Sequence, residues 1–253
     1  MSEVLLTEKR GAVFIMTMNR PEARNALSRE LMYEMAEALY EFDTSNDLSV
    51  AVLTGAGGNF CSGMDLREFA AGSTFDKVSE HPGLNQQPPA KPIIAAVEGY
   101  ALAGGCETAL CTDIIVASRD AKFGIPEVKR GLVAAGGGLY RLPRVMSYPA
   151  ASLLALTGDI IDAEQANAWG LVSVLAEPGK ALEAAVEIAD RIAQNGPLAL
   201  KATKAVLAKA ASWTDPEFME WQQTVVGPVF ASNDAKEGAT AFGEKRAPKW
   251  TAT

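Results

Sequence analysis

The stretch PIIAAVEGYALAGGCETALCTDIIVA, residues 92–117, decides the fold class. Its first six residues form an apolar run of the length and composition of a strand buried on both faces. Gly99, Gly104 and Gly105 then interrupt the chain, so residues 99–105 predict a loop, residues 106–111 a short helix, and residues 113–117 (DIIVA) a second buried strand. A strand, a loop, a helix and another strand in so short a span predict parallel strand pairing and an α/β fold.

The same pattern extends on both sides. Residues 11–18 (GAVFIMTM) predict a strand that runs into Asn19-Arg20-Pro21. Ser28 then stands as an N-cap before Leu31, Met35, Ala38, Leu39 and Phe42 at helical spacing. Residues 49–54 (SVAVLT) give another buried strand, ending in the glycine-rich loop of residues 55–58. Gly72, Pro82, Gly83, Pro88, Pro89 and Pro92 make residues 72–92 an expected mobile loop. Downstream, residues 163–169, 179–194, 197–211, 216–230 and 234–246 read as successive helices, with Pro197 and Pro216 in first-turn positions. The expected organisation is a core over residues 1–195 and a helical C-terminal region over residues 196–253.

Composition removes several chemistries. The chain of 253 residues has a single histidine, His81, set in the proline-rich loop, which leaves a Ser-His-Asp or Cys-His arrangement or a zinc site short of ligands. After the residue 49–54 strand, Phe60 stands where a dinucleotide fingerprint needs its third glycine, and no phosphate-loop motif occurs. Three cysteines, Cys61, Cys106 and Cys111, are too few for a disulfide framework and fit a reducing cytoplasm. A formal charge of −8, with scattered Lys and Arg, argues against a nucleic-acid or anionic-membrane partner. No targeting segment or membrane span is expected.

Four loops carry the unusual residues. They are NRPEARNAL (residues 19–27), NFCSGMDL (59–66), EGYALAGGCE (98–107) and FGIPEV (123–128). Together they resemble the enoyl-CoA hydratase (crotonase) family. The resemblance runs on through Gly136-Gly137-Gly138, Arg141-Leu142-Pro143, Leu156-Thr157-Gly158 and residues 168–172 (AWGLV) to Phe242-Gly243-Glu244-Lys245-Arg246. It implies a spiral core of ββα units with C-terminal helices that build a homotrimer or a dimer of trimers.

The resemblance also implies roles. The N–H groups of Met64 and Gly104 correspond to an oxyanion hole for the thioester oxygen, and Glu107 and Glu127 to the acid–base pair. Arg24, Ala26, Ser62, Asp65 and Leu66 correspond to the coenzyme A site, with Lys245 and Arg246 reaching toward the nucleotide end. The implied reaction is reversible hydration of a 2-enoyl-CoA to a 3-hydroxyacyl-CoA, with no metal and no cofactor beyond the coenzyme A of the substrate. Physical chemistry agrees with this assignment: enolate-like charge on the thioester oxygen calls for convergent donors, and addition of water calls for two proton-handling groups. Both glutamates are present, as in the family's hydratases, whereas many of its isomerases keep only the second.

Each residue also has a plain structural reading. Glu107 serves equally as a charge at a helix N-terminus, Glu127 as a solvated residue, and Gly104 and Gly105 as relief for a tight turn. Arg24 fits a solubilising surface arginine as well as a phosphate contact, and Cys61 and Cys106 fit small buried packing. Ala103, where many relatives have glycine, reads as a conservative departure. Two other activities remain open: a related lyase or isomerase, such as a carnitinyl-CoA dehydratase, and a catalytically silent trimeric scaffold.

Overall fold

Apolar runs without alternation become strands covered on both faces, and the fold follows from how each face is covered. The computed structural model describes residues 3–74, 78–210 and 215–253. Strands β1 (Leu5–Arg10) and β2 (Val13–Met18) form an antiparallel hairpin, and helix α1 (Arg29–Thr44) begins where the Ser28 hydroxyl accepts the Leu31 N–H at 3.1 Å. Next come β3 (Val50–Gly55), α2 (Leu66–Ala70), β4 (Ile93–Val97), β5 (Tyr100–Leu102), α3 (Gly104–Leu110), β6 (Ile114–Ser118) and β7 (Lys122–Gly124). The chain continues through α4 (Gly138–Val145), α5 (Tyr148–Thr157), β8 (Ile160–Asp162), α6 (Ala163–Ala168), β9 (Val174–Ala176) and α7 (Ala181–Ala193). Helices α8 (Pro197–Lys209), α9 (Asp215–Ala231) and α10 (Asn233–Glu244) end it.

The main sheet has the order β1-β2-β3-β4-β6-β9 and is parallel from β2 onward. Along its strands successive residues take opposite faces. Val13, Ile15, Val50, Val52, Ile94, Ala96 and Val116 pack against α7, whose Ala181, Ala185 and Ala189 let the helix lie close to the sheet. Phe14, Met16, Met18, Ala51, Leu53, Ile93, Ala95 and Val97 pack the other way, against α1 and the second layer. That layer is the small sheet β5-β7-β8. β4 continues into β5 and then α3; β6 continues into β7, a 3-10 turn and α4. This is the expected ββα repetition, with each unit passing from the large sheet to the small one.

Several elements differ from the sequence reading. Residues 99–105, expected to be loop, contain β5, and the first strand of the sheet, β1, was not anticipated. Both are short or polar and are held by partners distant in sequence or by the hairpin, so local pattern carries no signal for them. Residues 126–130 form a 3-10 helix, and residues 138–157 hold two helices, one starting in three glycines and containing Pro143. The residue 72–92 segment follows α2 and lies partly outside the described residues, as does the end of the helix expected over residues 197–211. Where described, the former is anchored at its exit by Asp43, which accepts the N–H groups of Ala90 and Lys91 at 3.0 and 3.1 Å.

The loops at the ends of β2 and β3 are fastened to each other by one buried side chain. Asn25, in the left-handed conformation at φ 54°, accepts the Arg20 N–H at 2.9 Å and donates to the carbonyls of Ala56 (2.9 Å) and Asn59 (2.7 Å). Asparagine tolerates that backbone conformation better than most residues. Arg20 adds a second fastening, donating to the Ala26 carbonyl at 2.5 Å and to the Asp65 carboxylate at 2.9 Å. Asp65 in turn caps α2 through the N–H groups of Arg67 and Glu68.

Asn25→Ala therefore strands three partly buried backbone groups and places alanine at positive φ. Urea denaturation is expected to show a loss of about 3 kcal/mol, within the range for such unsatisfied groups, and a loss below about 1 kcal/mol would show that the two loops hold together without it.

Candidate active site

Two bridges between backbones build one wall of a cavity. Leu27 pairs with Met64: its N–H donates to the Gly63 carbonyl at 2.8 Å and its carbonyl accepts the Asp65 N–H at 3.0 Å. Cys61 pairs with Ala101, so the residue 61–64 segment runs beside β5. These pairings use the groups around Met64 and leave the Met64 N–H free. The Gly104 N–H, at the first residue of α3, points outward as the first donors of a helix do. Neither N–H has an acceptor among the described residues. A methyl group built on Gly104 would stand 3.5 Å from the Met64 nitrogen, which places the two donors side by side.

The two glycines of the third loop have different work. A methyl group on Gly105 would stand 2.2 Å from the Cys61 carbonyl oxygen, so Gly105 is required for the two segments to touch. For a methyl group on Gly104 the nearest atom would be the Leu27 Cδ1 at 3.3 Å, the end of a flexible side chain, and the position lines the cavity. Before them Ala103 has φ 51° and ψ −127°, a region that glycine occupies readily and an L side chain does not. The exchange of glycine for Ala103 is therefore not conservative for the backbone: it stores strain next to the free N–H of Gly104.

Glu107 lies in the first turn of α3, 3% exposed, and its carboxylate accepts the Gly138 N–H at 2.8 Å. Burial pushes its pKa up, against the N–H groups of Gly138 and Gly136 and the positive charge of Arg141. Glu127 projects from the 3-10 turn Pro126–Arg130, and its Oε2 is buried without a hydrogen-bond partner among the described residues. Its pKa is also raised, by burial first and further by the charge of Glu107. Buried carboxyls that repel each other and are unequally hydrogen-bonded divide their labour: Glu107, with a donor, is the better anion, and Glu127 the better acid. The three thiols are buried, and burial pushes Cys61, Cys106 and Cys111 up to about 12, which leaves them inert packing groups at neutral pH.

A cavity of about 850 Å³ joins these features. It is lined by Met64, Gly104, Glu107 and Glu127, by Ser62 and Leu66, and by apolar residues of α1 and the following segments, among them Met32, Met35, Leu84 and Leu132. Of the residues singled out from sequence, Arg24, Ala26 and Asp65 lie outside its lining. Arg24 is exposed with its guanidinium 5.6 Å from the Tyr100 ring centre, and Ala26 is buried. The Asp65 carboxylate is committed to Arg20 and to the α2 N-terminus; although burial raises its pKa, these bonds hold it below the usual value. Lys245 and Arg246 follow α10, and Arg246 is tied to Glu237 and Glu244. Sequence reasoning passed over Arg20 and Asn25, which sit inside the first quoted loop but bond within the protein, and Arg141, whose partners are backbone carbonyls.

Comparisons with known proteins match the chain along nearly its whole length. A family model described as enoyl-CoA hydratase/isomerase matches residues 8–253. Enoyl-CoA hydratase EchA19 of Mycobacterium tuberculosis is 44% identical over 97% of this chain and 95% of its own. The 2,3-dehydroadipyl-CoA hydratase of Escherichia coli is 37% identical over 98% of each chain. The crystal structure of enoyl-CoA hydratase EchA1 from Mycobacterium marinum superposes with a TM-score of 0.96, at 54% identity and over 100% of both chains.

Two outcomes test the site. Ala103→Gly is expected to raise stability by roughly 1 kcal/mol by releasing backbone strain, read as a higher melting temperature; an unchanged or lower value would show that the methyl group offsets its own strain. For the carboxyls, the folded state binds protons more tightly than the unfolded state, so stability present at low pH is lost as pH rises through the raised values. Glu127→Gln removes part of that loss. The melting temperature of the variant relative to wild type should therefore climb as pH rises from mildly acidic to neutral, and a constant difference would contradict the raised pKa.

Proposed function

The chain belongs to the enoyl-CoA hydratase/isomerase family, and on that premise we propose that its cavity adds water reversibly to a 2-enoyl-CoA, giving a 3-hydroxyacyl-CoA. The observation that carries the reading is the joint placement of two buried carboxyls and two unpartnered N–H groups on one cavity. The thioester oxygen accepts from the Met64 and Gly104 N–H groups, a pair in which each donor contributes about 2.7–4 kcal/mol to transition-state stabilisation. Glu107, as carboxylate, takes a proton from water as its oxygen bonds to C3. The C2–C3 π pair shifts toward the thioester, and C2 takes the proton of Glu127. The proton lost by one carboxyl is gained by the other, and exchange with water resets the pair.

Hydration leaves the overall oxidation level unchanged, so the proposed reaction draws on no redox cofactor, and coenzyme A enters and leaves as part of the substrate. Ser62 and Leu66 mark the mouth through which the pantetheine arm enters, with Arg24 beside it at the surface to meet a phosphate. The apolar wall from α1, with Met32 and Met35, receives the acyl chain. Exposed Leu207, Phe230 and Phe242 on α8, α9 and α10 support residues 196–253 as the contact region of a homotrimer or a dimer of trimers. Three reduced, buried thiols fit the cytoplasm. Among the described residues no helix is long and apolar enough to cross a membrane.

Loss of the conjugated-thioester absorbance of crotonyl-CoA reads the activity directly. Wild type is expected to turn over, and Glu107→Gln and Glu127→Gln each to fall by ~10²-fold or more, the scale of lost acid–base catalysis. A wild type that binds the thioester but leaves its absorbance unchanged would rule out short-chain hydration. The rate should fall on both sides of an optimum, because only the singly protonated pair works. The acid limb reports Glu107 and the alkaline limb Glu127, both displaced upward from ordinary carboxylates.

A further inference from the structure

The Gly138 N–H bonds Glu107, and the rest of the run Gly136-Gly137-Gly138 with the arginine that follows it encloses the same carboxyl. A methyl group on Gly136 would stand 2.5 Å from the Asn85 Nδ2 and 2.9 Å from the Glu107 Oε2. One on Gly137 would stand 2.1 Å from the Arg141 Nη1, and one on Gly138 would stand 2.8 Å from the Glu107 Cγ. Each glycine is thus absent of side chain for a specific neighbour. Arg141, in the first turn of α4, spans the remaining gap: its Nη1 donates to the Gly136 carbonyl at 3.3 Å and its Nη2 to the Asn85 carbonyl at 3.2 Å. The Asn85 side chain is tied in turn to the end of α3, where the Cys111 Sγ contacts the Asn85 Oδ1 at 3.5 Å and the Glu107 carbonyl at 3.1 Å.

We propose that Arg141 is a positioning residue for Glu107: its guanidinium locks the three-glycine turn to the Asn85 segment, and the locked turn aims the Gly138 N–H at the Glu107 carboxylate. The inference rests on the assignment of Glu107 to proton handling, and it adds a residue that touches neither substrate nor reacting atoms. A flat guanidinium suits the task because it reaches two carbonyls at once in a fixed plane, which a lysine ammonium does not reproduce. Its charge also opposes the upward push that burial gives Glu107. The other titratable groups around this carboxyl are Glu127 on the 3-10 turn, Cys106 and Cys111 on and after α3, and Arg130 and His81 on the cavity wall. Arg141 is the cation whose charge acts on Glu107 directly, so its removal leaves only the Gly138 and Gly136 N–H groups to oppose the upward push of burial.

The test uses the full chain with Arg141→Gln and Arg141→Lys. Carboxyl carbons of 13C-labelled glutamate are titrated by NMR, with Glu107 assigned from the spectrum of Glu107→Gln, and crotonyl-CoA hydration is followed across pH. In Arg141→Gln the Glu107 titration is expected to move to higher pH and the acid limb of kcat/KM to move with it. kcat should fall by ~10²-fold, the loss that a misplacement of about 1 Å causes, while KM changes little. Added guanidinium ion should restore part of kcat, and Arg141→Lys should retain the charge effect on the titration but not the full rate. If Arg141→Gln does not fold, the lysine variant decides alone through that split. Folded variants in which neither the titration nor the acid limb moves overturn the proposal, whatever happens to their melting temperature. Because the NMR titration needs no turnover, a wild type without hydratase activity would sink the functional reading while leaving Arg141's hold on Glu107 to be judged separately.

Discussion

Two backbone N–H groups left without partners at the end of a well-bonded wall are the constraint on which the site depends. A buried donor without an acceptor destabilises the fold, so a protein retains one only where surrounding bonds hold the backbone in place. Here the holding is done by pairings on both sides. Leu27 bonds to Gly63 and Asp65 around Met64, and Cys61 bonds to Tyr100 and Leu102 just ahead of Gly104. Arg20 and Asn25 then fix those loops to each other from below. The strained φ of Ala103 belongs to the same constraint, since it turns the chain sharply from β5 into α3 and so presents the Gly104 N–H to the cavity instead of to β7.

The carboxyl pair imposes a second cost that the fold accepts. Both Glu107 and Glu127 would be cheaper to bury as neutral groups, and their mutual repulsion ensures that one of them stays protonated over a wider pH range. Unequal hydrogen bonding decides which one. Glu107 has the Gly138 N–H at 2.8 Å, whereas Glu127 keeps an unbonded buried oxygen. The asymmetry needed for one base and one acid comes from the backbone of α4 and not from any difference between the two side chains.

How much of this was legible in the sequence depends on where each signal resides. Strands β2, β3, β4 and β6 of the main sheet were readable because both faces are apolar, and α1 because Ser28 and the Leu31, Met35 and Leu39 stripe mark its start and its face; the edge strands β1 and β9, largely exposed, were not. β5, β7 and β8 are three-residue strands that exist through pairing with distant partners, and nothing in Tyr100-Ala101-Leu102 announces one. At the site, Glu107 and Glu127 stood out by chemistry and motif together. Asp65 looked like a ligand contact from sequence, yet its carboxylate is occupied by Arg20 and by a helix N-terminus. A motif shows that a residue type is demanded at a position, but not whether the demand comes from the ligand or from the loop that must hold the ligand.

That distinction also bears on how an acidic protein is to accommodate an anionic thioester. At a formal charge of −8 the long-range field opposes approach, but at physiological ionic strength it is screened within about 8 Å. Recognition therefore falls to short-range donors: oriented N–H groups whose partial charges are fixed by the fold, and arginines whose partners are already chosen. Arg20 and Arg141 spend their guanidinium donors on carbonyls and a carboxylate of the protein itself. In both cases a cation that looks available in the sequence is used to stiffen the loops, and the stiffened backbone, not the cation, is what faces the cavity.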